Sequence, residues 1–341
     1  MPLFTEHQFA AKGIRSLCWR GDELVDWVSG GNSYSLDGTE HEARVNYAYH
    51  FDAATASPDG RHAVIYKRLG TKGLLLDNGR IVRELNRSFY CANAYEYPVA
   101  LFNDPSGRLL LAHCPEEYCR IELEEAATGR GLTASKTRKP ADFFHSRLAP
   151  SPSGTRLLSA GWVWHPWSAV VYFSIEQALA EATHLDRGES IVPQSGKEGS
   201  ACWLDDSRIA VGSTMEDEDL GDAIDADGAP NLSPRSVAVY DIDKRNCLGA
   251  FQLDEPPGSM FALGHDHVLA LYRHPKIIDL NSGRIVHMWD RLDSGLQDGS
   301  IIWGLKPERI PPPMAFDSTK NRFAVVNGDV VTVIEFFIAG A

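Results

Sequence analysis

The sequence predicts an all-β chain, a seven-bladed β-propeller of four-stranded antiparallel blades, and two observations carry that expectation. The first is a recurring module: an apolar stretch, a turn of Asp, Ser, Pro or Gly, and a second apolar stretch. It occurs at 17–28 (LCWRGDELVDWV), 101–112 (LFNDPSGRLLLA), 148–160 (LAPSPSGTRLLSA), 201–212 (ACWLDDSRIAVG), 260–271 (MFALGHDHVLAL) and 315–326 (AFDSTKNRFAVV), and once more within 55–66. Between equivalent turn residues the spacings are 37, 47, 47, 52, 61 and 52 residues. A period near fifty with four strands per unit marks a propeller. The second observation is the grammar inside one module. In 55–85, TASPDGRHAVIYKRLGTKGLLLDNGRIVREL, Ser57-Pro58-Asp59-Gly60 is a turn in which Pro presets one backbone angle and Gly accepts the left-handed one. Asn78-Gly79 is the strongest short hairpin signal, and with 51–56 ahead the stretch reads as a four-stranded meander. One such sheet cannot bury both of its faces alone, so the modules must pack on one another.

In chain order, residues 3–9 have no local partner, while the last module has only three strands, at 314–317, 322–326 and 330–337. The N-terminal strand is therefore expected to complete blade 7, which removes two exposed edges at once. Blade 1 follows, with a third strand at 33–36 and a turn at Asp37-Gly38, then blade 2 as above. Blade 3 spans 98–134, with a third strand at 119–124. In blade 4 a strand at 170–173 leads into helix formers behind Ser174, whose Ser-x-x-Gln pattern with Gln177 predicts one or two helical turns before the outer strand. Blade 5 is interrupted between its second and third strands by an acidic insertion, 214–235. Blade 6 is compact, and a long connection, 291–313, ends in Pro311-Pro312-Pro313, which cannot donate to a ladder.

The apolar-Ser-Pro-x-Gly-x-apolar units resemble bacterial propellers of the WD40-like superfamily. So do the strands that end in Leu76-Asp77, Tyr240-Asp241 and Ile278-Asp279 before Gly- or Asn-containing turns. The resemblance is one of architecture and covers essentially the whole chain. Gly264-His265 falls in a turn and Trp289-Asp290 ends a fourth strand, away from the places such dipeptides occupy in that family.

Because the repeat runs through both halves of the 341 residues, a single closed domain is expected, as a monomeric ring. No apolar run reaches the ~18 residues of a membrane span. The start, MPLFTEHQFAAKG, lacks the basic and apolar regions of a signal peptide, so a cytoplasmic protein is expected. Six scattered cysteines without a CxxC pair read as free thiols. The net charge of −13 argues against nucleic acid, whose binding depends on neutralising phosphates with Lys and Arg. It fits a protein partner, a basic one in particular.

In a meander with strands a to d, the a–b and c–d turns emerge on one face of the disc and the b–c and d–a loops on the other. The long segments, 86–97, 134–144, 161–168, 214–235 and 291–313, are all of the second kind, so the functional surface is expected on that face. There the segment WVWHPW holds Trp162, Trp164, His165 and Trp167, and neighbouring loops hold Phe89, Tyr90, Tyr95, Tyr97, Phe143 and Phe144. Trp and Tyr are the usual interface anchors; the other reading is that some of these rings plug the channel or pack beneath their loops. The stretch 215–227, MEDEDLGDAIDAD, holds seven carboxylates, among them Glu216, Asp217, Glu218 and Asp219, and no Lys or Arg. A solvated loop and a steering surface for a basic partner both fit, whereas the spacing does not match a calcium loop.

No nucleophile elbow, His-Glu-x-x-His, phosphate loop or sialidase-type box is present. His113 with Cys114 and Cys119, or His265 with His267, are the nearest approach to a metal corner, and no metal or cofactor is expected of them. The expected function is a non-catalytic protein-interaction module that binds through the long-loop face, with neutralisation of a basic effector, as by a toxin immunity protein, as the narrower form. The alternative is a hydrolase or lactonase with a site at the central channel.

Overall fold

The computed structural model describes residues 3–164, 166–190, 197–215, 232–302 and 310–338. Seven four-stranded antiparallel sheets form the ring. The first six are consecutive in the chain. Blade 1 is Cys18–Arg20, Glu23–Asp26, Asn32–Tyr34 and Glu40–His41, and blade 2 is Ala53–Ala56, His62–Tyr66, Lys72–Asp77 and Arg80–Asn86. Blade 3 is Val99–Asn103, Leu109–His113, Glu122–Glu125 and Arg130–Gly131, and blade 4 is Leu148–Pro150, Arg156–Val163, Trp167–Ser174 and Glu189–Ser190. Blade 5 is Glu198–Trp203, Arg208–Ser213, Ser236–Asp241 and Asn246–Gln252, and blade 6 is Met260–Leu263, His267–Ala270, Lys276–Asp279 and Ile285–Met288. In blade 7, Met314–Asp317, Arg322–Asn327 and Val330–Phe336 take their outer strand from the other end of the chain, Phe4–Ala10. That strand pairs from Phe4↔Phe336 to Ala10↔Val330 and closes the ring.

The second strand of each blade is buried on both faces, which is why these strands read as unbroken apolar runs. Alternate residues face opposite neighbours. Leu157 packs toward blade 3, whereas Leu158 packs toward blade 5; Ala63 and Ile65 face blade 1, and Val64 faces blade 3. A separate apolar cluster fills each interface around the ring, from blades 1 and 2 to blades 7 and 1. Outer strands are more exposed, as in Arg80–Asn86.

The turns have the expected chemistry. Ser57 Oγ takes the His62 backbone N–H at 3.0 Å, and Ser151 Oγ takes that of Arg156 at 3.2 Å. Asn78 and Gly79 both have positive φ, 47° and 78°, as a type I′ hairpin requires. At Gly154 two demands meet: φ is +69°, and a Cβ would stand 2.0 Å from the Asn103 carbonyl oxygen of the preceding blade. The turn is thus a blade-to-blade contact that only glycine permits.

The helical insertion in blade 4 is a short α-helix, Ile175–Ala180, followed by a 3₁₀ turn, Ala182–Leu185. Ser174 caps it by accepting the Gln177 N–H, and Ile175 and Ala178 bury its inner side. No helix among the described residues is long and apolar enough to cross a membrane. All six cysteines are free.

The segment 161–168 departs from expectation. Instead of a long loop it is the end of a hairpin, with Arg156–Val163 paired to Trp167–Ser174 as far as Val163↔Trp167. Aromatic and β-branched residues favour a pleated, half-buried surface, and Trp162-Val163 simply continues the strand.

Candidate interaction surface

The face that carries the b–c and d–a connections is built up over blades 3 and 4. Its centre is Phe144, whose backbone pairs with Trp162 through two hydrogen bonds, Phe144 N–H to the Trp162 carbonyl at 2.8 Å and the reverse at 3.1 Å. That pairing requires Gly161 beside it, since a Cβ there would lie 2.1 Å from the Phe144 carbonyl oxygen. The Phe144 ring is held between two others, stacked on Trp162 at 3.8 Å and on Tyr118 at 4.1 Å. Tyr95 meets it edge-on at 5.5 Å. Tyr90 and Trp164 extend the group outward, at 5.9 and 6.3 Å from the same ring. Trp164 lies in the turn just past the strand that carries Trp162, and the two ring centroids are 5.7 Å apart.

The sequence-predicted rings divide by depth. Tyr95, Tyr97, Phe143, Phe144 and Trp162 are all buried, so they support the surface rather than form it. Trp167 is half-buried and Trp164 is 48% exposed. Phe89, 86% exposed, and Tyr90, 48% exposed, stand with it at the solvent boundary. His165 and the carboxylates Glu216, Asp217, Glu218 and Asp219 lie outside the described residues. Tyr118 was missed in the sequence because it sits between Glu117 and Cys119, in a stretch read for sulfur ligands. Its only local signal was aromatic character in a b–c connection.

Arg87 makes the 88–97 loop a rigid support. Its guanidinium donates to five backbone carbonyls, those of Gly70, Glu96, Arg68, Ala92 and Tyr95, at 2.7 to 3.4 Å. It lies over the rings of Tyr95 and Tyr97, 4.5 and 5.0 Å from their centroids. The planar fork of arginine suits this task, because its N–H groups diverge in one plane.

Beside the aromatic group, the long connection after blade 6 crosses the ring. Arg273 N–H donates to the Gly295 carbonyl at 2.6 Å, Met215 N–H to Asp298 Oδ2 at 3.1 Å, and Arg147 Nη2 to the Gly299 carbonyl at 2.7 Å. Glu96 N–H then reaches the Ser300 carbonyl, and Ile302 N–H reaches that of Ala94. The six steps from Gly295 to Ile301 span at most about 20 Å, yet they touch blades 6, 5 and 4 and the loop leading into blade 3. Only near the axis do those elements converge, so this strap covers the channel mouth on the long-loop face.

An ion pair lies beneath the strap. Arg147 Nε is 2.7 Å from Glu96 Oε2, and both side chains are largely buried. Burial alone raises the Glu96 carboxyl pKa, but Arg147 and Arg68 outweigh it and hold the group below its ordinary range. Elsewhere, His113 Nε2 sits 3.2 Å from Glu124 Oε1 and His265 Nδ1 3.9 Å from Asp205 Oδ2. Among the described residues no group of three or more His, Cys, Asp or Glu is arranged to hold a metal ion.

No family model matches the chain, and no curated protein is significantly similar to it. Solved structures do share its fold, 946 chains in all. One of these is a chain in the crystal structure of a mitotic checkpoint complex. It superposes with a TM-score of 0.61 at 10% identity, over 97% of this chain and 91% of that one. At that identity the likeness is one of fold, a β-propeller.

Proposed function

We propose that this chain is a non-catalytic protein-interaction module that binds its partner through the long-loop face as a monomeric ring. The observation that carries this reading is the exposure of Tyr90 and Trp164 on a support of stacked rings, with Phe89 exposed next to Tyr90 in the chain. Large aromatic side chains held rigidly at the surface lose little entropy on binding and supply most of the energy at interfaces. A neighbour of the same fold that is part of a multiprotein checkpoint complex supports the same reading by analogy. The narrower form is a partner that is basic, an effector neutralised as by a toxin immunity protein. The acidic stretch 215–227 and the net charge of −13 motivate it.

The channel-hydrolase reading draws less support, because the strap lies over one mouth of the channel. The experiment is an affinity capture from native extract with the wild type and a Phe89→Ala, Tyr90→Ala, Trp164→Ala triple variant. A stoichiometric partner lost in the folded variant is the expected result. Equal capture by both proteins would refute the assignment of this face.

A further inference from the structure

Carboxylates stand beside the exposed rings, and Arg120, two residues after Tyr118, is close enough to Glu116 and Glu117 to interact with both. Glu116, Glu117 and Asp142 are all exposed; the first two precede Tyr118 in the chain, and Tyr118 is the ring that stacks on Phe144 and lies 5.2 Å from Tyr90. Tyr118 Oη donates to Asp142 Oδ1 at 2.7 Å, so this carboxylate is fixed at the edge of the aromatic group. Burial first, and then the hydrogen bond and charge of Asp142, push the Tyr118 phenol well above its ordinary pKa. Tyr90 and Trp164 belong to different blades, one in the loop that follows blade 2 and the other at the hairpin tip of blade 4. The buried Phe144 ring lies within 6.3 Å of both. Aromatic faces with carboxylates at their rim attract cations through the ring quadrupole as well as through charge.

We propose that the surface formed by Tyr90, Tyr118 and Trp164, with Glu116, Glu117 and Asp142 at its edge, takes a lysine- or arginine-bearing extended segment of a protein partner. A cationic side chain lies over the rings, and its neighbours meet the carboxylates. This rests on the protein-binding reading above and names the chemistry of what is bound. Apolar ring area alone would accept any hydrophobic segment, and the carboxylates alone would act as a weak, salt-screened attraction. Together they select a positive side chain with an aliphatic stem, which lies along ring faces while its charge stays near Asp142.

The test uses the purified full chain and fluorescein-labelled decapeptides of lysine, of arginine and of alternating glycine and serine, followed by fluorescence anisotropy at fixed ionic strength. The cationic peptides are expected to bind and the neutral one not. Tyr90→Ala with Trp164→Ala should weaken binding at least tenfold, whereas Trp164→Phe, which keeps a ring, should retain most of it. Glu116→Gln, Glu117→Gln and Asp142→Asn together should weaken binding and flatten its salt dependence. Replacing Glu216, Asp217, Glu218 and Asp219 by their amides should leave the ring-dependent part in place. Binding that is indifferent to the rings, or equal for the neutral peptide, overturns the proposal. So does loss of all binding on neutralising 216–219 alone. If a partner is captured through the aromatic face while no cationic peptide binds, this inference fails and the binding-module reading stands; if neither occurs, both fail.

Discussion

His145 illustrates how a single buried group sets a stability profile. Its Nδ1 lies 3.1 Å from Ser159 Oγ, and its ring packs on Phe143 and Phe173 at 4.8 and 5.7 Å. Burial pushes the imidazole pKa from 6.5 down to about 3; the Cys119 carbonyl opposes this and Arg138 adds to it. The unfolded chain protonates this histidine near pH 6.5, while the folded protein keeps it neutral until far lower pH. Across that window the unfolded state binds more protons, so stability present above pH 6.5 is lost as pH falls, at up to roughly 1.4 kcal/mol per pH unit. Between pH 6.5 and 4.5, above the usual carboxylate range, His145→Gln should therefore lose less stability than the wild type. Urea midpoints at four pH values would measure it, and parallel pH slopes for the two proteins would refute the assignment. The histidine's presence was legible in the sequence, but its burial was not. Its position depends on Ser159 of the second strand of blade 4 and on the ring of Phe173 in the third, as well as on its chain neighbour Phe143.

At the scale of elements, the strap over the channel mouth is held by Arg147, which joins Glu96, Gly199 and Gly299. These partners come from two connections and the first strand of blade 5, and Arg147 itself adopts φ of 44°. Removing one member of a largely buried ion pair leaves the other uncompensated and costs about 3 kcal/mol. Arg147→Met should lower stability by about that amount and raise hydrogen exchange at 94–97 and 295–302 while leaving the strand cores protected. Unchanged exchange at 295–302 would mean that the pair does not hold the strap. The sequence showed that 291–313 is long and rich in proline near its end, but not where it goes. Contacts such as Arg147 to Gly299, 152 residues apart, leave no local pattern. The hairpin 161–168 shows the reverse error: a Trp-rich segment between two strands resembles a loop until Phe144 supplies a backbone partner.

For the whole molecule, closure depends on the first strand. Phe4–Ala10 covers the edge of Val330–Phe336, and Trp289 Nε1 donates to Glu6 Oε1 at 2.6 Å, with Arg291 on the other oxygen of the same carboxylate. Deleting residues 1–11 exposes that edge and leaves Trp289 and Arg291 without their carboxylate. The truncated chain should melt at a lower temperature, with a broadened transition, and self-associate through the open strand. Calorimetry and size-exclusion chromatography test this, and an unchanged melting temperature with a monodisperse profile would refute it. The sequence by itself determined the blade number, the turn positions and the source of the closing strand. Those follow from period-two burial and from turn chemistry carried by residues next to one another in the chain. Only the tertiary structure decided which aromatic rings face solvent, where the strap crosses and that Tyr118 joins Phe144. Such choices depend on residues of different blades meeting in space, and alternation along one strand says nothing about what approaches from the next.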